Sequence, residues 1–430
     1  MLSIREVAER QLCSGCGACA YLSPDEIRMV EDVERGKRPL VDGEERDPRS
    51  KEALRACPGA SLEHTFDPTD PALRGELIAG WGPVRRVWEG HAGDGALRWA
   101  GSSGGAASAL ALYCIERGGM SGVLHTAARE DAPLVNETVM SRTREELLAR
   151  TGSRYAPASP CDGLGMIEES AGKCVFVGKP CDVAGAQRAR KMRPGLDEKL
   201  GVTIAFFCAG APSVRGTLEL LKKVGVEDPE TAGRVESVRY RGNGWPGLWR
   251  VRWKDARGEA REASMTYAES WGFLQRYRQW RCYVCPDHTG EFADIAVGDP
   301  WYREIEEGEA GSSLIVARTA LGERIVREAA EAGYIALQRE DATLLPRSQP
   351  NLLGGRGAVA GRMWATRVAG VPTARFKGFA MWRYWWSELT IAEKLRSTVG
   401  TWRRMGRKGL RKRVEVREWE GARAEQGTAT

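Results

Sequence analysis

Residues 174–190 read CVFVGKPCDVAGAQRAR, and they decide the fold class. The apolar start predicts a strand, residues 178–181 predict a sharp turn, and the rest predicts a helix. Residues 200–221, LGVTIAFFCAGAPSVRGTLELL, repeat this order of strand, turn and helix. Successive units of this kind predict a mixed α/β body whose strands end at one edge of a sheet. Because ligands of such sheets bind beyond the carboxyl ends of the strands, we expect Cys181 and Cys208 to lie at a binding edge.

The N-terminal stretch CSGCGAC contains Cys13, Cys16 and Cys19, with two small residues between successive cysteines. This spacing favours a 4Fe-4S cluster, because the thiolates can bind different irons and small residues let backbone N–H groups approach the sulfurs. Zinc is the weaker alternative, since it is normally held by separate C-x2-C pairs. Cys57 is the best fourth ligand, because the proline after it turns the chain away from the cluster. The intervening residues 26–41 predict a β-hairpin.

Four other cysteines indicate a second cluster. The C-x2-C pair of Cys282 and Cys285 cannot bind a cube alone, and cysteines at the two strand ends could supply the other thiolates. Two alternatives stay open: Cys181 and Cys208 could be small buried hydrophobes, and the C-x2-C pair could be half of a zinc site. The remaining cysteines are interpreted as packing or incidental residues: Cys114, Cys161 and Cys174.

A Gly/Ser-rich loop at residues 101–105 precedes a helix predicted from Ala106 to Arg117. Glycines at a helix N-terminus expose backbone N–H groups and make a good anion cradle, although the loop does not match G-x-G-x-x-G or the Walker pattern. A helix-packing loop is an equal alternative. The flanking residues 66–95 are rich in Pro, Gly and Asp and predict a linker, and residues 350–375 predict a loop-like, Gly/Ala-rich segment.

Several motifs, taken together and in order, resemble the coenzyme F420 hydrogenase/dehydrogenase beta-subunit family, which also includes 7-hydroxymethyl chlorophyll a reductase and ferredoxin-dependent divinyl chlorophyllide reductase. The resemblance covers residues 8–345 and rests on CSGCGAC with its later Cys-Pro, SSGGAASAL, GSRYAP, VFVGKPCDVAG, FFCAGAPS, RYRGNGWPG and CYVCPDHTGEFADIAVGDPW. It implies FAD in the α/β body and a second 4Fe-4S cluster on Cys181, Cys208, Cys282 and Cys285. It also implies FAD contacts from Ser102, Ser103, Gly104 and Gly105, with Arg154 and Tyr155 nearby.

The chain departs from the family pattern at one turn. Many members have a Thr-containing GTPC sequence where this chain has GKPC, and Asp182 replaces a frequent Gln. A cation at Lys179 would raise the potential of a nearby flavin or position a carboxylate, and the alternative is a solvated turn residue. His288 follows Cys285 closely and could protonate a group near the second site. Lys179, Asp182 and His288 are therefore the candidate catalytic residues, and the departures leave the deazaflavin substrate open.

These observations divide the chain into four predicted segments. A ferredoxin-like iron–sulfur module is followed by an α/β flavin-binding body in two parts and by a basic, aromatic helical extension. The predicted segments are 1–65, a ferredoxin-like 4Fe-4S domain; 66–160, with the Gly/Ser flavin loop; 161–345, with the second iron–sulfur site; and 346–430, the extension.

The net charge of +6 is concentrated near the C-terminus. Between residues 375 and 413, Lys and Arg outnumber Asp and Glu by twelve to two, so the rest of the chain is mildly acidic and no nucleic-acid partner is expected. The basic and aromatic residues 376–413 predict a peripheral membrane contact or a docking arm for an acidic partner, and a helix packed on the body is the alternative. The absence of a signal peptide and the presence of eleven cysteines predict a cytoplasmic protein with reduced thiols.

The leading functional prediction is an FAD- and iron–sulfur-dependent oxidoreductase. It would transfer electrons between a ferredoxin, or another electron-transfer protein, and a small-molecule substrate that is coenzyme F420-like or another organic compound. The alternatives are a non-catalytic iron–sulfur electron-transfer subunit of a larger complex and, more weakly, an iron–sulfur sensor or scaffold. Residues 13–19 are the expected port for single electrons.

Overall fold

The structure, a computed structural model, describes residues 3–43, 48–231, 233–306 and 308–422. The ends of the first and last predicted segments, residues 1–2 and 423–430, lie outside the described residues. The strands are β1 Ile27–Asp32, β2 Gly36–Val41, β3 Ser61–Glu63, β4 Arg86–Ala92, β5 Val123–Ala128, β6 Asn136–Ser141, β7 Cys174–Gly178, β8 Leu200–Phe206, β9 Val235–Arg239, β10 Leu248–Lys254, β11 Ala260–Thr266, β12 Ile295–Gly298, β13 Ser313–Ala317, β14 Ile335–Glu340 and β15 Arg375–Lys377. The helices are α1 Ile4–Glu9, α2 Ala18–Leu22, α3 Pro48–Ala56, α4 Gly75–Trp81, α5 Gly95–Ala100, α6 Ala106–Glu116, α7 Arg144–Ala149, α8 Gly165–Glu168, α9 Pro180–Ala189, α10 Pro194–Lys199, α11 Val214–Lys223, α12 Tyr267–Leu274, α13 Trp280–Tyr283, α14 Ala320–Glu331, α15 Leu344–Ser348, α16 Leu352–Val368, α17 Met381–Ser387 and α18 Ile391–Arg407.

An eight-stranded mixed sheet forms the centre of the fold, in the order β14-β4-β13-β12-β8-β7-β5-β6. The four strands β12, β8, β7 and β5 are mutually parallel, and the strands outside them pair antiparallel. The predicted mixed α/β fold is confirmed. Because the four parallel strands share a direction, their carboxyl ends meet at one edge of the sheet, which is where the candidate site lies.

The central strands are buried on both faces, which is why their sequences read as continuous apolar runs. On β7, Val175 packs with side chains of α6 and α14, whereas its neighbour Phe176 packs on the opposite face with Val183 of α9. Ile204 and Ala205 on β8 separate in the same way. The sheet is therefore a central layer between α6 and α14 on one side and α9 with the N-terminal helices on the other.

The N-terminal segment contains the predicted hairpin, in which β1 and β2 pair antiparallel. The C-terminal segment adds a strand to this part of the molecule, because β15 pairs in parallel with β3, with Phe376 opposite Leu62. A separate antiparallel sheet of β9, β10 and β11 packs against α11 and α12 around the buried Trp249. The two ends of the chain are thus held together.

The prediction of a linker at 66–95 was wrong. This stretch contains α4 and β4, and β4 lies inside the large sheet between β13 and β14. Val87 and Trp88 are both buried, at 1% and 2% exposure. The polar residues and glycines around them weaken the local apolar pattern, so the strand is stabilised by partners that lie far away in the sequence.

The prediction of a loop at 350–375 was also wrong, because α16 occupies residues 352–368. Its glycines lower helix propensity, but they lie where the helix meets its neighbours. A Cβ atom at Gly357 would lie 2.6 Å from the backbone nitrogen of Trp385, and one at Gly361 would lie 2.3 Å from Ser397 Oγ. Close packing of α17 and α18 on the glycine face therefore stabilises a helix that local propensity disfavours.

The three C-terminal helices leave a row of large apolar side chains exposed, which we call the apolar stripe. Trp386 is 68% exposed and Ile391 is 78% exposed, whereas Tyr384 and Leu389 are buried against the body. The apolar stripe consists of Trp364, Val368, Trp382, Trp386, Ile391, Leu395, Val399 and Trp402. Among helices in the described part of the chain, none combines the length and apolarity needed to cross a bilayer.

Candidate functional site

A cavity of about 760 Å³ opens at the carboxyl ends of the parallel strands. Its walls come from the Gly/Ser loop before α6, the ends of β7, β8 and β12, the side chains of α12, and the segment before α16. A volume of this size is typical of small-molecule and cofactor sites, which occupy roughly 300–1,000 Å³. The predicted binding edge of the sheet therefore contains a cavity large enough for an organic cofactor.

The Gly/Ser loop forms one wall of this cavity, where Ser102, Ser103 and Gly105 line it. Gly104 does not line the cavity, and a Cβ atom there would lie 2.8 Å from the Cα of Ser312. Gly104 and Gly105 have φ values of +63° and +70°, so the loop needs glycine at both positions. Among the described residues, no side chain caps α6, and its first N–H groups remain available to an anion.

Arg154 and Tyr155 also line the cavity. The Arg154 guanidinium is committed to the protein, because it donates to Asn136 Oδ1 at 2.8 Å and to the carbonyl oxygens of Val238 and Pro133. Tyr155 packs against Trp271, with the ring centroids 5.1 Å apart. Arg154 thus holds the wall in place, and Tyr155 presents an aromatic surface.

The most polar part of the wall, which sequence reasoning missed, is built around Arg241. Its guanidinium donates two hydrogen bonds to Asp299, at 2.7 and 3.0 Å, and one to the carbonyl of Ser102 at 2.7 Å. It also lies 4.6 Å from the ring centroid of Tyr267. Trp245 Nε1 donates to the same Asp299 carboxylate at 2.7 Å. Arg241 therefore fixes the Gly/Ser loop to the strand end after β12, and the motif RYRGNGWPG was the available signal.

Lys179 and Asp182 form a buried ion pair at the turn between β7 and α9, and both line the cavity. Lys179 Nζ lies 2.7 Å from Asp182 Oδ2 and also donates to the carbonyl of Ala158. Burial opposes the charge on Lys179, but the Asp182 carboxylate and the nearby Cys181 and Cys208 sulfurs raise its pKa above the usual range. The side chain is therefore a fixed cation between the cavity and two cysteines rather than a solvated turn residue.

His288 lies at the same wall of the cavity. Its Nδ1 is 2.8 Å from the carbonyl oxygen of Cys208, and burial lowers the pKa of the imidazole to about 4. The ring is consequently neutral near pH 7 and donates one N–H to the backbone. All three candidate catalytic residues lie at one edge of the cavity.

The N-terminal cysteine group comprises Cys13, Cys16, Cys19 and Cys57, which are all buried. The thiols are close enough to interact electrostatically, and burial together with the other sulfurs raises the pKa of Cys57 to about 12. Gly15 N–H donates to Cys13 Sγ at 3.3 Å. Gly15 has a φ of +78°, and a Cβ there would lie 2.9 Å from the carbonyl oxygen of Lys37.

The body cysteine group comprises Cys181, Cys208, Cys282 and Cys285, which are all partly exposed. Burial, followed by the charge on the Cys282 sulfur, raises the pKa of Cys208 to about 12. Gly210 N–H donates to Cys208 Sγ, and Ala211 N–H donates to Cys282 Sγ, both at 3.4 Å. Cys208 also lines the cavity, so this group adjoins the cavity directly.

Both cysteine groups fit an iron–sulfur cluster in the chemistry of their donors. Each brings four thiols together, and each contains sulfurs that accept backbone N–H hydrogen bonds, as cluster sulfurs do. All of these cysteines are free of disulfides. Within the described ranges, no three His, Cys, Asp or Glu side chains form a group that could hold a single metal ion.

Cys161 is a neighbour of the N-terminal cysteine group that sequence reasoning missed. It was interpreted as a packing or incidental residue, and it is fully buried. Its N–H donates to the carbonyl of Cys16 at 2.9 Å, and its thiol donates to the carbonyl of Asp182 at 3.1 Å. The nearby Cys161 thiol lowers the pKa of Cys16. No sequence signal links two cysteines so far apart.

Two family models match the chain, and both describe the beta subunit of coenzyme F420 hydrogenase/dehydrogenase. The model of its N-terminal part matches residues 87–164, and the model of its C-terminal part matches residues 171–343. Together they overlap every strand of the large sheet.

Curated relatives and a solved structure are also similar to the chain. The F420-dependent formate dehydrogenase 1 subunit beta of Methanococcus maripaludis is 26% identical over 57% of this chain, which covers 59% of that protein. The coenzyme F420 hydrogenase subunit beta of Methanosarcina barkeri is 26% identical over 54% of this chain and 73% of that protein. A chain of the F420-reducing [NiFe] hydrogenase complex from Methanosarcina barkeri is 20% identical with a TM-score of 0.49, covering 69% of this chain and 96% of that chain.

Proposed function

Because the chain belongs to the coenzyme F420 hydrogenase/dehydrogenase beta-subunit family, a family of oxidoreductase subunits, we propose that it is an FAD- and iron–sulfur-dependent oxidoreductase. It transfers electrons between a ferredoxin-like partner and a small organic substrate, of which a coenzyme F420-like deazaflavin is the first to test. The observation that carries the proposal is the position of Cys208, which belongs to the body cysteine group and lines the cavity. A one-electron site therefore adjoins a site large enough for an organic cofactor.

We assign two 4Fe-4S clusters to the two cysteine groups and FAD to the cavity. FAD would supply the exchange between two-electron chemistry with the substrate and one-electron transfer with the clusters. Ser102, Ser103 and Gly105 line the cavity beside the α6 N-terminus, and this part of the wall suits the phosphates. The backbone of Gly104 shapes that loop, and Tyr155 offers a surface for an aromatic ring.

The residues of the chain have distinct roles in this proposal. Lys179 places a fixed positive charge between the body cysteine group and the cavity, where it would favour the reduced, more negative state of a bound cofactor. Asp182 holds this cation in position through the 2.7 Å contact between Lys179 Nζ and Asp182 Oδ2. His288 is neutral and directs one N–H at the Cys208 carbonyl, so it holds the strand end rather than serving as the proton donor near pH 7. Arg241 ties the loop to Asp299 and keeps the cavity open.

A non-catalytic electron-transfer subunit is the second candidate function. Both curated relatives described above are named as subunits, and the apolar stripe could be covered by another subunit. In that case the purified chain would bind clusters but would not reduce a carrier without its partner. The membrane contact predicted for residues 376–413 and the cytoplasmic location remain predictions. Flotation with anionic liposomes, compared between wild type and Trp386→Ser, tests the first of these.

The test of the proposed function is a substrate assay on anaerobically purified protein. We expect the protein with bound FAD to reduce coenzyme F420, or to oxidise its reduced form, with ferredoxin or methyl viologen as the second redox partner. A Cys208→Ser variant should keep FAD and lose electron transfer, whereas Cys114→Ser, on the opposite helix layer, should keep both. A protein that contains clusters but no flavin would contradict the proposal and favour the electron-transfer subunit.

A further inference from the structure

A second cavity, of about 140 Å³, lies between the N-terminal segment, the turn after α12 and the C-terminal end of α18. Its lining includes five cationic side chains and one acidic one, Glu34, which is itself paired with Arg215 at 2.8 Å. We call this cavity the basic cleft, and its cations are Arg35, Arg38, Arg276, Arg278 and Lys408.

Most of these charges are not neutralised by carboxylates. Arg35 pairs with Asp32, but Arg278 donates to the carbonyl of Ala209 and Lys408 donates to the carbonyl of Arg278, which leaves both formal charges in place. Arg276 is exposed at the mouth. The cleft therefore carries a positive potential that attracts anionic groups.

The walls of the basic cleft include the segments that precede Cys13 and Cys282 in the chain. Gln11 stands just before Cys13 in the chain, and its amide donates to the carbonyl of Lys408 at 2.8 Å. Gln279 stands just before Cys282, and it accepts a hydrogen bond from Arg38 at 2.9 Å. The cleft thus lies beside the segments that lead to one cysteine of each group.

Arg38 forms the floor between the groups. Its side chain is 1% exposed, and its Nε has no hydrogen-bond partner among the described residues. Its charge interacts with the sulfurs of both Cys13 and Cys282, and the charge of Lys408 also interacts with Cys282. An electron carrier seated at this cleft would therefore be close to Cys13 and Cys282, one member of each cysteine group, whereas the N-terminal cysteine group is otherwise buried.

We propose that the basic cleft is the docking site of a small acidic electron-transfer protein of the ferredoxin class. The inference rests on the proposed function and adds the surface and the partner chemistry. Reduced ferredoxin loses one electron, one cluster of this chain gains it, and no bond or proton is exchanged. The single-electron port is then formed jointly by both cysteine groups and by the C-terminal helix that supplies Lys408, rather than by residues 13–19 alone. Complementary charge would steer the partner and fix its orientation.

Binding of a bacterial-type 2[4Fe-4S] ferredoxin tests this proposal directly. Fluorescence anisotropy with labelled ferredoxin should give a dissociation constant that rises about tenfold between 50 and 300 mM NaCl, because salt screens the charges. Arg276→Glu combined with Lys408→Glu should weaken binding at 50 mM NaCl by about tenfold or more. Arg257→Glu, an exposed charge reversal in the β10–β11 turn, should bind like wild type. If the double variant does not fold, Arg276→Glu alone, at an exposed site, should still weaken ferredoxin binding measurably.

The same preparations separate this proposal from the proposed function. Reduction by methyl viologen radical, a small dye that needs no docking site, should not slow in the double variant. Unchanged ferredoxin affinity in both charge-reversal variants, or binding of inorganic phosphate but not of ferredoxin, would overturn the docking proposal and leave the oxidoreductase proposal intact. Ferredoxin binding at the cleft in a protein that lacks FAD would instead overturn the proposed function and leave the docking site standing.

Discussion

Replacing Asp299 by asparagine should destabilise the cavity wall, because it removes the only charge partner that Arg241 has among the described residues close to the cavity. The Arg241 side chain is 3% exposed and that of Asp299 is 17% exposed. Asp299→Asn keeps the shape and one acceptor but leaves a cation buried without its counter-charge. Breaking a buried pair in this way costs about 3–5 kcal/mol.

The structure places the cost near the lower end of that range. Arg241 keeps its hydrogen bonds to the carbonyl oxygens of Ser102 and Pro246, and water can reach part of the Asp299 position. We therefore expect the free energy of unfolding to fall by about 3 kcal/mol. Arg241→Met combined with Asp299→Asn should cost less than the two single changes together, with a coupling energy of about 2–3 kcal/mol.

Urea unfolding of the cofactor-free protein, followed by circular dichroism, measures these values. The matched control is Glu262→Gln, which removes an exposed partner of Arg252 at 3.9 Å and should cost under about 1 kcal/mol. Asp299→Asn should also lower the FAD content of the purified protein, because the ion pair through which Arg241 holds the Gly/Ser loop against residue 299 is lost. A loss of stability below about 0.5 kcal/mol in Asp299→Asn would refute the assignment of a structural role to this pair.

Three further predictions concern other parts of the molecule. Gly357→Ala should lower the free energy of unfolding by about 1–3 kcal/mol, because the new Cβ would lie 2.6 Å from the α17 backbone. Gly355→Ala, which has open space around it, should leave the free energy unchanged or raise it by up to about 1 kcal/mol, and the urea midpoints of the two variants test both expectations. Burial lowers the pKa of His125 from its ordinary 6.5 to about 4, so the stability that the neutral ring contributes is fully present above pH 6.5 and is lost as the pH falls towards 4. His125→Gln should therefore flatten the plot of unfolding free energy against pH in this range, and an unchanged plot would contradict the prediction. Cys285→Ser should reduce iron from about eight to about four atoms per chain by colorimetric analysis, and retention of eight would remove Cys285 from the ligand set.

The parts of the fold that the sequence predicted are those determined by local patterns. The apolar run, turn and helix at 174–190 became β7 and α9 because every step of that unit is encoded by neighbouring residues. The hairpin of β1 and β2 was predictable for the same reason. The spacing of Cys13, Cys16 and Cys19 also grouped these three cysteines, whereas Cys57 was added to them because of the proline that follows it.

The parts that it missed depend on partners far away in the chain. β4 needs β13 and β14 on either side, and α16 needs α17 and α18 packed against its glycines, so neither shows a strong local pattern. The pairing of Arg241 with Asp299 joins residues 58 positions apart, so the motif RYRGNGWPG marks Arg241 but does not indicate its partner. Prediction from one sequence was therefore limited mainly by contacts that only the folded chain creates.

We propose that one chain holds two 4Fe-4S clusters and FAD at adjoining sites. Anaerobic purification, followed by iron, sulfide and flavin analysis of the same sample, tests it most directly. We expect about eight iron atoms, eight sulfides and one FAD per chain, as two cubane clusters and one flavin require. About four iron atoms per chain with FAD present would mean that one of the two cysteine groups holds no cluster. A sample with both clusters but without flavin would contradict the assignment of FAD to the cavity.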